Sequence, residues 1–496
     1  MTVNKIKLCY RNKVILAPMV RVGTLPMRLL ALECGADIVY SEELIDWKLI
    51  NCKRRVNNVL GTVDFVDPAD GTIVFRTCEQ EKGCVVLQLG TSDADRALAV
   101  GKLVQNDVTA LDINMGCPKE FSIKGGMGVA LLAQPQKAIQ ILRTLCENLN
   151  IPVTCKIRIL PNLADTIKLV QDFAATGIAA IAIHGRTRDE RPQHDPHPDF
   201  IREIAKVVDI PVIANGGSRD IYKYADIQKF KQLCGADSVM VARAAQLNVS
   251  IFRKDGLLSM DELICKYLKV SVDYDNAAHN TKYCIQNILK EQQESPRGKQ
   301  FLQCQTLQQM CEIWGLGDYC NKKQIEFKEK GNYGRREVAP GAIPDDDGPG
   351  LKRTKLEVSP LDDDVIENNI AFLRSNYTGD TLLPKTVLYA YGCKNRKDNP
   401  SYETKRIDKL FRSICTFDGK KYSSSFWEKN KRQAEQGAAL VCLRSIGVIS
   451  DEELIKNGSI LTAVVAVGVD VVAVGVVAVG IVDDYVEMAS VVDLYE

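Results

Sequence analysis

The sequence lacks the cysteine spacings that mark a metal cluster or a disulfide framework. It holds seventeen cysteines, an odd number, and no two of them stand in a C-x-x-C spacing. Structural zinc sites, iron–sulfur clusters and small secreted domains usually show such spacings or an even number of cysteines. The cysteines therefore predict reduced thiols in a cytosolic or nuclear protein, and we expect a cytoplasmic protein without a metal site.

Other informative features are missing or weak. The apolar run near the N-terminus covers only residues 14–20, which is too short and too late for a signal peptide. No G-x-G-x-x-G follows an early predicted strand, which argues against a doubly wound dinucleotide-binding sheet. The formal net charge is only +1, but thirteen Lys and Arg stand against six Asp and Glu over residues 384–436. This local excess favours a polyanionic partner.

What the first half does contain is a repeated unit: a short apolar or β-branched run, a polar turn and an amphipathic helical stretch. Eight such units in about 245 residues predict an α/β fold, a closed (β/α)8 TIM barrel, because apolar strands that alternate with helices form a covered parallel sheet. An open doubly wound sheet is the alternative. The predicted strands are 14–19, 38–40, 85–89, 111–114, 153–157, 180–183, 212–215 and 238–241.

Polar residues and glycines follow these runs, where a parallel barrel places the carboxyl ends of its strands and its catalytic groups. Each of them alone would be an ordinary capping or surface residue. Together they indicate a site on one rim of the barrel. They are Met19, Gln88, Asn114, Cys117, Lys156, Arg158, His184, Arg186, Asn215, Gly216, Gly217, Ala242 and Arg243.

The last two predicted strand ends indicate a phosphate site. Gly216 and Gly217 follow the seventh strand and Arg243 follows the eighth, where this barrel class commonly binds phosphate through backbone N–H groups and a helix N-terminus. Glycines let the backbone approach the ligand, and an arginine adds a charge-assisted hydrogen bond. We therefore expect a phosphate-bearing ligand, although paired glycines also form ordinary turns.

The stretch DINMGCPK at 112–119 ends a buried run in a polar turn that carries Cys117. A thiol in that place could be a nucleophile, a metal ligand, a proton donor or a packing residue. A nucleophile needs a neighbouring base to form the thiolate, and the local sequence shows none. An ordinary thiol, with a pKa near ~8.5, stays mostly protonated at neutral pH and can act as an acid.

Seven motifs between about Asn12 and Phe252 resemble, in order, the motif series of the tRNA-dihydrouridine synthases. The resemblance is greatest to the eukaryotic cytoplasmic type that acts on uridine 20, because that type also ends in a double-stranded-RNA-binding domain. The motifs are APM at 17–19, DINMGCPK at 112–119, KGGMG at 124–128, KIR at 156–158, HGRTR at 184–188, NGG at 215–217 and AR at 242–243.

The resemblance implies a barrel that binds FMN, takes electrons from NADPH or NADH and reduces the C5–C6 double bond of a tRNA uracil. Cys117 would give the proton to C5, and Lys156 would stabilise charge near N1 and O2 of the flavin, with a barrel-interior salt bridge as the alternative. The residues implied for the cofactor are Ala17, Pro18, Met19, Gln88, Lys156, His184, Asn215, Gly216, Gly217, Ala242 and Arg243. Those implied for the substrate are Glu43, Asn114, Arg186 and Arg188, although arginines after a strand are often only solvated.

Composition changes divide the chain further. The catalytic barrel is predicted over 1–255, and helical periodicity over 256–328 predicts a small bundle. The resemblance implies that this bundle helps to bind tRNA. Residues 329–381 are acidic with little to bury, which predicts a flexible linker. The Val/Gly repeats of the tail, 449–496, are typical of low-complexity sequence, with a membrane anchor as the less favoured alternative, and we assign the tail no function.

Residues 382–448 are predicted to form a helix, three strands and a second helix. That order, with KRQAEQGAA at 431–439, resembles the double-stranded-RNA-binding domain. In that family the basic start of the second helix binds phosphates across the major groove while the first helix lies in a minor groove. The implied RNA-binding residues are Lys385, Lys429, Lys431 and Arg432. A generic basic α/β module is the alternative.

The sequence thus predicts an FMN-dependent tRNA-dihydrouridine synthase, with tRNA as its partner and with neither a membrane segment nor a metal. Two alternatives remain open: a non-catalytic RNA-binding protein whose barrel is only a scaffold, and a small-molecule flavin oxidoreductase that acts on pyrimidines. Nothing in the sequence fixes the oligomeric state, and a monomer is the default expectation.

Overall fold

The computed structural model describes residues 8–331, 364–377, 379–407, 410–428 and 430–460. Within these residues the strands are β1 (Val14–Leu16), β2 (Ile38–Ile45), β3 (Lys53–Asn57), β4 (Thr62–Val66), β5 (Ile73–Cys78), β6 (Val85–Gly90), β7 (Ala110–Met115), β8 (Val153–Arg158), β9 (Ala180–His184), β10 (Val212–Asn215), β11 (Ser238–Val241), β12 (Val365–Asn368), β13 (Ser401–Ile407), β14 (Leu410–Phe417) and β15 (Lys420–Ser424).

The α-helices of the described residues begin with nine in the barrel region: α1 (Leu25–Glu33), α2 (Asp46–Ile50), α3 (Ala94–Val104), α4 (Glu120–Lys124), α5 (Pro135–Asn148), α6 (Leu163–Ala174), α7 (Pro198–Ala205), α8 (Tyr224–Cys234) and α9 (Arg243–Leu247). Eight more follow: α10 (Met260–Asp273), α11 (Ala278–Leu289), α12 (Pro296–Gln303), α13 (Leu307–Ile313), α14 (Gly317–Glu329), α15 (Pro384–Lys394), α16 (Lys431–Ser445) and α17 (Asp451–Lys456).

Eight strands form a closed barrel in the order β1-β11-β10-β9-β8-β7-β6-β2, and neighbouring strands run parallel. Each of the eight overlaps a predicted run, so the predicted TIM barrel is confirmed. The barrel forms because these strands are apolar and covered on both faces. In β6, β7 and β11 every residue is buried.

A three-stranded antiparallel sheet, β3-β4-β5, intervenes between the second and third barrel strands, where the sequence analysis predicts no strands. Arg76 of this sheet pairs with Asp64 at 2.6 Å and donates to the carbonyl oxygen of Tyr274 at 2.5 Å. Arg28 of α1 pairs with Glu81 at 2.6 Å, and both side chains are almost wholly buried. The sheet therefore ties the barrel to the helices that follow it.

Helices α10–α14 follow the barrel, in the region where the sequence predicts a helical bundle. Their apolar side chains belong to the same continuous hydrophobic core as the barrel's, since Leu263, Tyr267 and Met310 join Met27 and Leu30 of α1. The boundary predicted at residue 255 thus separates two sequence patterns but not two cores.

A second unit with its own hydrophobic core contains α15, β13, β14, β15 and α16. Strands β13, β14 and β15 are antiparallel, and Leu388 of α15 and Leu440 of α16 pack in one cluster with Phe417 of β14. The predicted order of helix, three strands and helix is confirmed. We call residues 364–460 the RNA-binding unit, after the double-stranded-RNA-binding domain that their sequence resembles.

Two stretches of this unit correct the sequence prediction. The end of the predicted flexible linker forms β12, which pairs in parallel with β15, and Ile370 and Phe372 beyond it are buried. The run Ile-Ala-Phe-Leu has enough apolar surface to bury despite its acidic surroundings. The start of the predicted tail forms α17, whose Leu454 joins the same core.

The Val/Gly repeats of the tail lie outside the described residues, so the low-complexity interpretation stays a prediction. Among the residues that are described, no helix combines the length and the apolar character needed to span a bilayer.

Candidate active site at the barrel mouth

The strand registers bring the predicted rim residues together. Gln88 of β6 pairs with Glu43 of β2 on one side, and Asn114 of β7 pairs with Lys156 of β8. His184, at the end of β9, pairs with both neighbouring strands. Because all these strands are parallel, their carboxyl ends meet at one mouth of the barrel.

A chain of hydrogen bonds runs from the barrel interior to the backbone of Cys117. The fully buried Asp112 carboxylate accepts from the Thr154 hydroxyl at 2.6 Å and from the Gln88 amide at 2.8 Å. Asn114 Nδ2 donates to the Gln88 carbonyl oxygen at 3.2 Å, and Cys117 N–H donates to Asn114 Oδ1 at 3.0 Å. Burial raises the pKa of Asp112 to about 6. The chain orients both amides and fixes the turn that carries the thiol.

The Cys117 thiol is only partly buried, and the Ser122 hydroxyl donates to its Sγ at 3.3 Å. Burial raises the pKa of this thiol, and the charge of Glu43 raises it further. Burial also raises the pKa of Glu43, an effect that a hydrogen bond from Cys117 and the charge of Lys156 oppose. The sulfur therefore keeps its proton at neutral pH, as an acid requires.

Gly128 lets the chain return against Cys117. Its φ is +60°, and a Cβ at this position would lie 2.5 Å from the Cys117 carbonyl oxygen and 3.0 Å from the Cys117 Cβ. The N–H of Val129 donates to that same carbonyl at 3.1 Å. The glycine-rich motif at 124–128 thus supports the thiol-bearing turn from the side opposite Asn114.

Cationic side chains crowd the mouth beside the thiol. Burial, together with the charge of Arg158, lowers the pKa of Lys156 to about 8. Burial, and then the charge of Lys156, hold the pKa of His184 well below its usual range, so the imidazole is neutral. Burial and the charge of Arg219 lower the pKa of Arg243. A bound anion would relieve this mutual repulsion.

Arg186 does not face outward, as its implied role toward substrate phosphates requires. It is 2% exposed, its Nη1 donates to the Gly216 carbonyl at 2.9 Å, and its Nε donates to the His194 carbonyl at 2.7 Å. Its buried Nη2 finds no hydrogen-bond partner among the described residues. Arg188, two residues on, is exposed. Of these two arginines, the one that contacts the candidate phosphate site is therefore the buried one.

The two glycines after β10 lie in close contact with neighbouring side chains. Gly216 has a φ of +122°, and a Cβ there would lie 3.0 Å from Cδ2 of His184. A Cβ at Gly217 would lie 2.5 Å from the ring of Phe230. Side chains are thus excluded from the backbone that the sequence analysis assigned to a phosphate.

Other residues implied for the cofactor shape the rim through their backbone. Asn215 Nδ2 donates to the Met240 carbonyl at 2.8 Å, and this bond ties β10 to β11. The N–H of Ala242 donates to the Ser218 hydroxyl at 3.3 Å, next to the start of α9. These contacts hold the seventh and eighth strand ends side by side.

The motif Ala17-Pro18-Met19 closes the barrel at β1. The N–H of Ala17 donates to the Val241 carbonyl at 2.9 Å, and the Met19 carbonyl accepts from the N–H of Val22 at 3.0 Å. Pro18 and Met19 are partly exposed at the mouth. The motif therefore offers the site backbone and apolar surface rather than charge.

A second cluster of predicted site residues lies in the RNA-binding unit. Lys385 of α15 and Lys431 at the start of α16 both pair with Glu435, and 67% of the Lys431 side chain is exposed. Arg432 is exposed beside them. Lys429 lies outside the described residues. The structure thus brings Lys385 and Lys431 together at Glu435, with Arg432 next to Lys431 in the chain.

Sequence reasoning missed several residues that hold the site. Asp112 opens the motif that carries Cys117, but its hydrogen bonds to Thr154 and Gln88 come from neighbouring strands. Ser122 follows the thiol by five residues, and one turn of α4 brings its hydroxyl back to the sulfur. Motif membership was a usable signal for Asp112, whereas Ser122 carried none.

Comparison with protein families gives two matches. Residues 15–304 match the family described as dihydrouridine synthase (Dus), and residues 384–446 match the double-stranded RNA binding motif. The first match covers more than half of the chain.

Individual relatives agree with these matches. The chain is 39% identical over 291 residues to a Schizosaccharomyces pombe tRNA-dihydrouridine(20) synthase [NAD(P)+], a match covering 57% of this chain and 60% of that protein. It is 37% identical over 298 residues to the Saccharomyces cerevisiae protein of the same name, covering 56% and 78% respectively. A crystal structure of a tRNA-dihydrouridine(20) synthase dsRBD domain is 41% identical, covers 17% of this chain and 89% of that chain, and has a TM-score of 0.16.

Proposed function

Since the chain belongs to the dihydrouridine synthase family, we propose that it reduces a uridine of tRNA to 5,6-dihydrouridine, with FMN as its cofactor and NADPH or NADH as the electron donor. The likeness to two yeast tRNA-dihydrouridine(20) synthases supports position 20 of the D-loop as the target. The observation that carries the proposal is the Cys117 thiol, held at the barrel mouth by Asn114 and Ser122 beside a cluster of buried cations.

The residues at the mouth fit FMN. Arg186 has a buried Nη2 without a hydrogen-bond partner in the described residues, and its neighbour Arg243 repels it, so a phosphate between them would supply the missing acceptor. The backbone of Gly216 and Gly217, which carries no side chain, would lie beside that phosphate. Gln88, Lys156 and His184, with the backbone near Met19, would hold the ring. When bound and reduced by the nicotinamide donor, FMN supplies the hydride that adds to C6 of the uracil.

Cys117 completes the reaction from the other face of the uracil ring. Its Sγ–H bond breaks as a C–H bond forms at C5, so the hydride and the proton together saturate the double bond. The positive charge of Lys156 stabilises the resulting thiolate, which solvent then reprotonates. Glu43, whose charge opposes the thiolate, favours the return of the proton.

The hydrogen-bonded chain from Asp112 through Gln88 and Asn114 keeps the thiol in place during this step. Because Asn114 Oδ1 accepts hydrogen bonds from the N–H groups of Gly116 and Cys117, the turn cannot move without breaking two hydrogen bonds. Fixed placement of an acid contributes to the rate because no reorganisation is needed when the proton moves.

The RNA-binding unit supplies the second half of substrate recognition. Lys385, Lys431 and Arg432 would bind tRNA phosphates through charge and shape, as double-stranded-RNA-binding domains do. Arg188, exposed beyond β9, would bind a phosphate close to the mouth. The target uridine must leave its stack to reach Cys117.

The substitution Cys117→Ala tests the proposal. We expect the variant to keep its flavin and to be reduced by NADPH, while dihydrouridine formation in tRNA falls by about 10²- to 10⁴-fold, the usual contribution of a general acid. Flavin absorbance and mass spectrometry of tRNA nucleosides give the two readouts. The matched control is Cys393→Ala, which removes an exposed thiol of α15. Normal tRNA turnover by Cys117→Ala would refute the acid role.

The same assay separates the alternative functions. Purified protein without flavin absorbance, even after incubation with FMN, would favour a non-catalytic RNA-binding protein. Reduction of free uridine monophosphate as fast as that of tRNA would favour a small-molecule oxidoreductase. We expect neither result. The residues at the mouth fit FMN, and a small substrate would not need the cations of the RNA-binding unit.

A further inference from the structure

A buried ion pair joins the RNA-binding unit to the helical region beside the barrel. Lys299 of α12 pairs with Glu428, and their side chains are only 4% and 6% exposed. Lys299 Nζ also donates to the carbonyl oxygen of Phe372 at 3.0 Å. Glu428 is held in place by two backbone hydrogen bonds with Phe411, each 2.8 Å long. The pair thus links two regions that have separate cores.

A second residue of the helical region reinforces this contact. Glu294 accepts from the N–H of Arg374 at 3.2 Å through Oε2 and from Gln433 Nε2 at 3.4 Å through Oε1. Lys299 and Glu294 together therefore contact two stretches of the RNA-binding unit, around residues 372–374 and 428–433. We call the Lys299–Glu428 pair and its surroundings the joint.

The joint lies at the base of the helix that carries the predicted phosphate contacts. Glu428 precedes Lys431, the first residue of α16, by three positions, and Gln433 lies in the first turn of that helix. On the other side, Phe301 of α12 belongs to the hydrophobic core that also fills the barrel. The joint thus connects the start of α16 with the hydrophobic core that the barrel and α12 share.

We propose that Lys299 and Glu428 are positioning residues that fix α16 relative to Cys117, so that one tRNA can contact both. This inference rests on the proposed function and deepens it. Opening the joint would break this ion pair together with the hydrogen bonds of Lys299 to Phe372 and of Glu294 to the unit, so the closed arrangement is favoured. Interfaces between domains of one chain are ordinarily polar and mobile, and a fully buried ion pair departs from that pattern. A fixed distance raises the effective concentration of bound tRNA at the barrel mouth.

Three variants of the full chain test the joint: Lys299→Met, Glu428→Gln and the double substitution. For Lys299→Met we expect a larger radius of gyration in small-angle scattering and faster amide exchange in α12. We also expect kcat/KM for tRNA to fall by about tenfold, with flavin reduction by NADPH unchanged. Affinity for a short RNA duplex should stay the same, because the cations of α16 are intact.

Glu428→Gln should have a smaller effect because it keeps a hydrogen-bonding group opposite Lys299. The double variant should recover part of the loss, because it leaves no unpaired buried charge. The matched control is Lys266→Met, which breaks the exposed ion pair between Lys266 and Glu33, joining the helical region to the barrel. It should change none of these quantities.

An unchanged radius of gyration and kcat/KM in Lys299→Met would overturn the proposal. So would a larger radius of gyration with unchanged kcat/KM, since the contact would then exist without positioning the substrate. If the wild-type protein formed no dihydrouridine, the proposed function would fail by itself. The scattering and exchange results would still show whether the joint holds.

Discussion

The barrel mouth and the RNA-binding unit both present positive charge, but they hold it in opposite ways. At the mouth, burial and mutual repulsion lower the pKa values of Lys156, Arg158 and Arg186. In the RNA-binding unit, Lys385 and Lys431 share the carboxylate of Glu435, and most of the Lys431 side chain is in solvent.

The difference shows which kind of anion each region is built to bind. Desolvated cations are costly until an anion of defined shape arrives, so the mouth suits one small ligand in one pose. Solvated cations cost little and bind a polymer by releasing its counterions, without a fixed register. The first region should therefore be sensitive to small displacements and insensitive to salt, and the second should show the reverse.

The largest effect should come from crowding the thiol. Gly128→Ala places a methyl group 2.5 Å from the Cys117 carbonyl oxygen, so the turn must shift. A shift of about 1 Å in the position of a reacting group costs about 100-fold in rate. We expect that loss in single-turnover dihydrouridine formation, at low and high salt alike.

Gly126→Ala is the matched control for this experiment. Gly126 also has a positive φ, +71°, but a Cβ there meets its nearest neighbour, Ser92, at an ordinary 3.4 Å. The two variants therefore share the backbone strain and differ in the clash with Cys117. Equal losses in both would show that strain, and not the placement of the thiol, limits the reaction.

A smaller, salt-dependent effect should follow from removing solvated charge. Lys431→Ala combined with Arg432→Ala should weaken tRNA binding by roughly tenfold near physiological salt and lower the slope of log K against log salt by about 2. Flavin reduction should not change. Lys397→Ala, which removes a lysine already paired with Asp418, is the control. A loss of affinity that does not depend on salt would show that these two side chains bind tRNA as desolvated cations do, and not through counterion release.

A modest effect on stability should come from removing a desolvated charge. The pKa of Lys156 falls from 10.5 to about 8 on folding, so below pH 8 the folded state carries the full cost of a buried cation. That cost disappears as the pH rises from about 8 to 10.5, because the folded protein releases this proton first. Lys156→Met should therefore raise the unfolding free energy of the flavin-free protein at pH 7 by about 1 kcal/mol.

Thermal unfolding with and without FMN measures this effect. The variant should gain a few degrees in Tm as the flavin-free protein, at roughly 2–4 °C per kcal/mol, and lose part of the stabilisation by added FMN. Lys168→Met, at a side chain 78% exposed on α6, should do neither. A lower Tm for Lys156→Met would mean that its ion pairing outweighs its desolvation.

The smallest effect should be that of pH on the chemical step. Since burial and Glu43 raise the pKa of Cys117, the proton stays on the sulfur across the neutral range. Single-turnover rates of pre-reduced enzyme should be flat from about pH 6 to 8 and decline only above the raised pKa. Glu43→Gln removes a charge that raises this pKa, so the decline should begin at lower pH. A rate that rises with pH would indicate a thiolate nucleophile.

Much of the barrel could be predicted because its strands are simple. Runs such as Val85–Gly90 are apolar throughout, and a fully buried parallel strand needs nothing else. The sheet β3-β4-β5 escaped prediction because β3 begins Lys-Arg-Arg and is exposed along most of its length, so it lacks an apolar run. Strand β12 escaped because its pairing partner, β15, lies more than fifty residues away.

The candidate site was only partly predictable for a related reason. Glycines, the thiol and strand-end polar residues follow from the motifs, but which way a side chain points depends on its neighbours in space. Arg186 fits a solvent-facing role in the sequence, yet the Gly216 and His194 carbonyls draw it inward. In the sequence, Glu294 and Lys299 resemble ordinary solvent-exposed charges. In the structure, the RNA-binding unit contacts both of them.

The sheet β3-β4-β5 limits where the chain can be truncated. Through Arg76 it donates to the carbonyl oxygens of Tyr274 and Asp275, so part of the barrel insertion is capped by the helical region. A truncation after residue 255 would remove those acceptors from the buried guanidinium of Arg76. It would also expose the apolar side chains of α1 that pack against the helices after the barrel. Shortened forms of the protein should therefore end after residue 331.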